Sequence, residues 1–377
     1  MTVTSGQNSY NDLPDIGSPS DAILNKQLEA RIGRQVYYSL LNTGTIMTDP
    51  EIQEYIQSVG MRLVAASDAY NQRFKFFVVE NNVINAFALP GGYIGMHSGL
   101  IMTTDNESEL AGVLAHEISH VTQRHISRAV FANQRNSTLS MAALLGAILV
   151  GVATGADPEL IAGGVSASQG AAIEQQIKFT RTNEYEADRV GIKVLANAGF
   201  DPMAMPAFFE TMGRQTGSLS SSRAPEFLLT HPVSADRMAE SRARARQYPR
   251  VDASDSTGYE IARARIRLLS SSRPELALEQ FRNLQNDPAY RGSLEIEYGL
   301  AIANTAMGNY KTAERSLETL LSENEEIIPL HSALGVNRMQ AGDNEAALKT
   351  FEEALSLFPK NVPLTVYYSE TLLRDDQ

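Results

Sequence analysis

Two imidazoles with a carboxylate beside the first, in the run His116-Glu117-Ile118-Ser119-His120, are the groups in this chain best suited to chemistry. On a helix, residues four apart share one face, so both rings can converge on a single tetrahedral metal ion, with Glu117 beside it as a general base. Zinc needs a third protein ligand, and a chain without cysteine must supply it as another histidine or a carboxylate. Glu184 is the candidate. It shares a helical face with Asp188, so Glu184 can bind the metal while Asp188 hydrogen-bonds the distal nitrogen of a ligand histidine and fixes its tautomer. Glu186 competes for the ligand role from a different face, and a solvated acidic helix face is the plain alternative for the whole cluster.

Each of these residues needs an element to hold it. Leu110, Val113, Leu114, Ile118 and Val121 form an apolar stripe that predicts a helix through the histidine pair, with Thr104-x-x-Glu107 as a capping box at its start. Ile177, Tyr185, Val190, Val194 and Leu195 predict a second helix carrying Glu184, ending near Gly199 and Pro202. Upstream, Arg73 to Val79 reads as a strand, and Ala86 to Met96, broken at Pro90-Gly91-Gly92, as a hairpin or bent strand. A small sheet beside the metal helix follows.

Beyond residue 257 the pattern changes. Gly308, Ala313 and Leu317 recur as Gly342, Ala347 and Phe351, an offset of about 34 residues, which is the tetratricopeptide period. A looser unit lies upstream, where Ala277 and Phe281 recur but Ser272 stands in place of the glycine. Such hairpins cannot bury their apolar faces singly, and stacking them makes a groove for a segment of another protein. Residues 257–377 therefore read as an α-helical repeat domain for docking, against the alternative of a bundle that only stabilises its neighbour. The expected fold is mainly α with a small β-sheet, divided into a flexible arm at 1–21, a zinc-site domain at 22–250 and the repeat domain.

Composition agrees with folded domains: 377 residues with 43% hydrophobic content can bury sizeable cores, and a net charge of −12 without a basic stripe argues against nucleic acid as a partner. The apolar run from Leu139 to Ala153 is shorter than the roughly 20 residues a membrane span requires. Residues 139–170 then have three readings: core hairpin, mobile lid, or peripheral membrane contact.

His116-Glu117-x-x-His120 followed by Glu184-x-x-Ala187-Asp188 resembles the gluzincin-type zinc metallopeptidases that include the Ste-type CAAX prenyl proteases and HtpX, with a zincin-like domain and one zinc ion per chain. Asn85-Ala86-Phe87-Ala88-Leu89-Pro90-Gly91-Gly92-Tyr93-Ile94 resembles the strand before the zinc helix in that family, and His231-Pro232 with Arg237 resembles its late His-Pro and Arg pair. With a repeat region following, the similarity extends to the periplasmic β-barrel assembly-enhancing proteases. The resemblance implies a metalloendopeptidase with chaperone-like activity in the periplasm, as a mature chain without its signal segment. Its clients would be unfolded or misassembled polypeptides and outer-membrane β-barrel proteins, together with their assembly machinery.

The resemblance also distributes roles. Substrate would add as a strand along Asn85, Ala86, Phe87 and Tyr93, and His231 and Arg237 would approach from the far side of the cleft to stabilise an oxyanion. His231 has two competing readings: a regulatory fourth ligand that closes the metal site, or an exposed loop histidine. The adaptor alternative, in which the repeats do most of the work and the zinc site is mostly latent, follows from the former. His125 stands five residues after His120 and is expected off the ligand face, as a surface or structural residue; His97 and His331 carry no assignment.

Overall fold

A computed structural model of the chain describes residues 24–69, 72–136, 170–218, 226–251, 254–290 and 292–375. The arm expected at 1–21 lies outside them, as does the apolar segment at 139–170 except for Gly170. Helices α1 (Lys26–Asn42) and α2 (Pro50–Ala65) precede strands β1 (Lys75–Val79), β2 (Ala86–Leu89) and β3 (Tyr93–His97). There follow α3 (Ser98–Thr103), α4 (Glu107–Thr122), α5 (His125–Asn136), α6 (Gly170–Asn197), α7 (Ala204–Ser218), α8 (Glu226–Thr230) and α9 (Ala235–Ala245).

The three strands form one sheet in the order β1-β3-β2, with β1 parallel and β2 antiparallel to β3. Period-2 alternation sends Phe77, Val79 and Leu89 to one face against Val36 and Leu40 of α1. Phe76, Val78, Ile94 and Met96 go to the other face, where α2 and α4 build the main core. Because β3 is central, β2 is left as an edge strand.

Helix α4 is buried along almost its whole length, and the predicted stripe of Leu110, Val113, Leu114, Ile118 and Val121 lies in the core. Its cap differs from the expected one. Asn106, not Thr104, is the N-cap, its side chain accepting from Glu109 N at 3.0 Å, while Glu109 Oε2 accepts from Asp105 N at 2.9 Å. Thr104 instead closes α3 and meets Tyr259, two residues before the cap that the metal helix uses. Gly191 lets α6 lie close to α4, since a β-carbon there would come within 3.2 Å of the Ala115 backbone, next to His116.

The C-terminal helices are α10 (Thr257–Leu269), α11 (Pro274–Gln285), α12 (Leu294–Ala306), α13 (Tyr310–Glu323), α14 (Ile328–Gln340), α15 (Asn344–Leu357) and α16 (Val362–Asp375). The 34-residue offset is visible in space: Gly308 and Gly342 both turn the chain with φ of +75° and +85°, and Ala313, Ala347, Leu317 and Phe351 are all fully buried. The first helix, α10, does not stand apart from the preceding domain. Tyr259 and Ile266 sit in the core of α2 and α4, Asp255 Oδ1 accepts from Glu107 N at 2.7 Å, and Arg265 Nε donates to Asp49 Oδ1 at 2.9 Å. No described helix is long and apolar enough to cross a membrane.

Candidate metal centre

Helix α4 brings His116 and His120 to one face, and α6 lays Glu184 and Asp188 across them. The short α8 and the turn at His231-Pro232 deliver a third imidazole. His116 Nε2 and His120 Nε2 are 3.0 Å apart, and His231 Nδ1 stands 3.2 Å from His116 Nε2. Glu184 closes the set with Oε2 3.3 Å from His116 Nε2, Oε1 3.2 Å from His120 Nε2, and Oε2 3.1 Å from His231 Nδ1. Among the described residues this is the one group of histidine and carboxylate side chains able to hold a metal ion. A tetrahedral zinc ion with bonds of about 2.0–2.1 Å has donor-to-donor edges of about 3.3–3.4 Å, close to these separations, and one ligand atom from each of the four residues lies within 4.8 Å of the others.

Each donor is held by a partner. His116 Nδ1 lies 2.9 Å from Asp188 Oδ1. Asp188 in turn accepts from Arg237 Nε at 2.5 Å and Nη2 at 2.8 Å, and from Ser241 Oγ at 3.3 Å. Arg237 Nη1 also lies 2.8 Å from Glu184 Oε2 and donates to the Pro232 carbonyl at 3.0 Å. Arg237 is 1% exposed. Arg237 thus supports the cluster from behind, with its donors directed at Asp188, Glu184 and Pro232; this corrects the expectation that it faces the cleft to meet an oxyanion.

Charge in the cluster is arranged to suit a cation. Burial opposes ionisation of Glu184, yet His231, His120 and His116 outweigh it and hold its carboxyl well below the usual carboxylate range. Burial likewise opposes the charged form of His116, but Glu184 and Asp188 prevail and raise its pKa to about 9. His120 is pushed down, chiefly by burial. Glu117 is 1% exposed and its Oε1 makes no hydrogen bond among the described residues; His231 Nε2 lies 3.4 Å away. A buried carboxylate oxygen of this kind, beside a metal cradle, is placed to take a proton.

His231 is neither on the far side of a cleft nor an exposed loop residue: it is 8% exposed and occupies the fourth corner. Phe227 holds it there. That ring is fully buried and stacks on His231 at 4.8 Å, while Phe227 N donates to the Ile84 carbonyl at 3.0 Å, just before β2. Pro232 keeps His231 out of the helical region, which ends α8 where the ring must turn inward. Nothing in the sequence around Phe227 marked it, since an aromatic in a short helix reads as core.

The sheet edge supports part of the expected substrate strand. Asn85, Ala86 and Phe87 lie at or in β2, with one side unpaired by any described strand. Tyr93 does not belong with them. It sits in the central strand, paired with both Lys75 and Leu89, and its ring meets Tyr37 at 5.6 Å. The hairpin turn at Pro90-Gly91-Gly92 carries the chain from the edge to the centre, so residues close in sequence differ in access.

Glu186 is not at the metal cradle. It faces Arg128 and His125 instead, at 2.8 and 3.3 Å. His125 itself is 3% exposed and places Nδ1 2.9 Å from His120 Nδ1, against the expectation of a residue off the ligand face. Burial, then the neighbouring His120, push His125 down to about 3. His97 is buried at the end of β3 and His331 donates to the Glu325 carbonyl at 2.9 Å; neither joins the cluster.

Comparison with known proteins agrees with this geometry. Residues 50–245 match the model of peptidase family M48. The chain is 37% identical over 319 residues to the β-barrel assembly-enhancing protease of Escherichia coli strain K12, covering 83% of this chain and 63% of that one. It is 38% identical over 311 residues to the β-barrel assembly-enhancing protease of Yersinia pestis, covering 82% and 63%. The mitochondrial metalloendopeptidase OMA1 of Arabidopsis thaliana is more distant, 28% identical over 187 residues, or 50% of this chain and 35% of that one. The chain thus spans less than two thirds of the length of the β-barrel assembly-enhancing relatives it matches, and the histidine and carboxylate cluster lies wholly inside the matched family region. The protein belongs to peptidase family M48, the metallopeptidases.

Proposed function

We propose that this chain is a zinc-dependent endopeptidase with chaperone-like activity, acting in the periplasm on misassembled outer-membrane β-barrel proteins or promoting their assembly. The observation that carries the reading is the convergence of His116, His120, Glu184 and His231, with one ligand atom of each within 4.8 Å of the others, and the buried Glu117 carboxylate beside them. The substrate class follows from the names of the relatives, and the location from the family resemblance of the sequence. Bound zinc would supply Lewis-acid polarisation of the scissile carbonyl and lower the pKa of water to about 7.

The chain's own residues do the rest. Glu117 takes a proton from the attacking water and passes it to the leaving amine nitrogen, which breaks the peptide bond without a free charged leaving group. Asp188 holds His116 in the tautomer that presents Nε2, and Arg237 holds Asp188 and Glu184. An extended polypeptide adds to the open side of β2 along Asn85, Ala86 and Phe87, where main-chain hydrogen bonds give affinity and tolerate varied side chains. That mode suits unfolded clients. Residues 257–377, read as tetratricopeptide repeats, dock a client or an assembly partner; Asp255, just before them, accepts from Glu107 N at the start of the metal helix, and Tyr259 bonds Thr104.

A second reading is favoured by His231 alone. With its imidazole in the fourth corner, the cluster has no open position for a water, so the resting protein is latent and works as an adaptor until that ring withdraws. Metal content and casein cleavage, measured on wild type, Glu117→Gln and His231→Ala, separate the readings. One zinc per chain and cleavage abolished by Glu117→Gln support the peptidase. Faster cleavage by His231→Ala identifies latency, whereas slower cleavage identifies His231 as an oxyanion donor. A protein that binds no zinc and cuts nothing in any form refutes the proposal.

A further inference from the structure

The two ligand histidines are supported differently. His116 leans directly on a carboxylate, Asp188, which is backed by Arg237. Among the described residues the partner of His120 at its distal nitrogen is not a carboxylate but His125, with Nδ1 to Nδ1 at 2.9 Å. Beyond His125 come Glu186, 3.3 Å from its Nε2, and Arg128, 2.8 Å from the same Glu186 oxygen. Both ligand histidines therefore end on a carboxylate backed by an arginine, one directly and the other through an interposed imidazole.

We propose that His125, Glu186 and Arg128 form a positioning relay that fixes the tautomer and orientation of His120 for metal binding. The inference rests on the reading of the cluster as a zinc site. Its proton placement is determined at every step. For His120 to offer the Nε2 lone pair to a metal, its proton must sit on Nδ1, which can then donate only to a lone pair on His125 Nδ1. His125 must then carry its own proton on Nε2, and the partner there, Glu186, is an acceptor as a carboxylate. Arg128, a donor only, satisfies the same Glu186 oxygen from outside.

The backbone is shaped for this contact. Helix α4 ends at Thr122, and Arg124 adopts φ of +55°, the one positive φ outside glycine among the described residues. A β-carbon makes that conformation costly, and such outliers persist where the surroundings impose them. Here the turn at Arg124 folds the chain back so that His125, at the start of α5, meets the ring it would have missed on a continuous helix. A histidine that only filled space would gain nothing from a line of polar atoms ending on an ion pair.

The test uses the full chain stripped of metal, with zinc affinity measured by chelator competition and the visible absorption spectrum recorded after Co²⁺ loading. His125→Leu should weaken zinc binding about 10- to 100-fold and alter the Co²⁺ spectrum. His125→Asn, whose amide oxygen overlies Nδ1, should restore affinity to within about threefold. If His125→Leu does not fold, His125→Gln replaces it: its amide overlies the Nε2 end, leaves His120 Nδ1 without an acceptor, and should bind zinc as poorly as the leucine variant would. Wild-type affinity and spectrum in His125→Leu, or equal affinities of the asparagine and glutamine variants, overturn the proposal. Failure of the wild type itself to bind zinc would overturn the metallopeptidase reading instead.

Discussion

Arg237 provides the sharpest test of how the cluster is held together. The residue is buried and its guanidinium faces two buried carboxylates, Asp188 through Nε and Nη2 and Glu184 through Nη1. Replacing it with methionine keeps most of the side-chain volume but leaves both carboxylates without their cation. Removing one partner of a buried ion pair costs about 3–5 kcal/mol, because the remaining charge stays desolvated. In a chain of this size that should lower the melting temperature by about 6–10 °C, taking roughly 2 °C per kcal/mol.

The assay is differential scanning fluorimetry of Arg237→Met in excess chelator, repeated with zinc. In chelator the full deficit should appear; with zinc it should narrow, since a dication beside Glu184 replaces part of the lost positive charge. Combining Arg237→Met with Asp188→Leu removes both partners, and the double variant should be more stable than the sum of the single losses predicts by at least about 1 kcal/mol. If Arg237→Met melts within about 2 °C of wild type in chelator, or if the losses simply add, the ion-pair reasoning is refuted.

Two further outcomes follow from titration. His116 has its folded pKa raised from 6.5 to about 9, so its contribution to the stability of the metal-free protein is full below pH 6.5 and is lost as pH rises through about 9. Zinc requires the neutral ring; apparent zinc affinity should rise about tenfold per pH unit between pH 7 and 9, with one proton released per ion, and a pH-independent affinity would contradict this. Glu51, at the start of α2 beside Arg265 of α10, is pushed up from 4.5 to about 7, chiefly by burial, and its Oε1 has no hydrogen-bond partner among the described residues. Its folded pKa being raised, stability falls as pH climbs from 4.5 through 7. Glu51→Gln should therefore gain about 3 kcal/mol at pH 8 and nothing near pH 4, and equal melting shifts at both pH values would refute the assignment.

Much of this protein was legible in the linear sequence wherever the physics is local. Spacing of four on a helix placed His116 with His120, and Glu184 with Asp188, because one turn of helix is set by backbone geometry regardless of what surrounds it. Alternation and glycine marked the sheet and its turn, and the 34-residue recurrence marked the paired C-terminal helices. The tertiary structure decided whatever depends on chain reversal or on atoms distant in sequence. It moved His125 onto His120 through one residue at φ +55°, assigned Glu186 to His125 rather than to the metal cradle, and withdrew Tyr93 from the open edge of the sheet. It turned Arg237 inward onto Asp188 and set His231 in the fourth corner with Phe227 stacked against it. Periodicity specifies the face of an element a side chain occupies; only packing between elements specifies what that face meets.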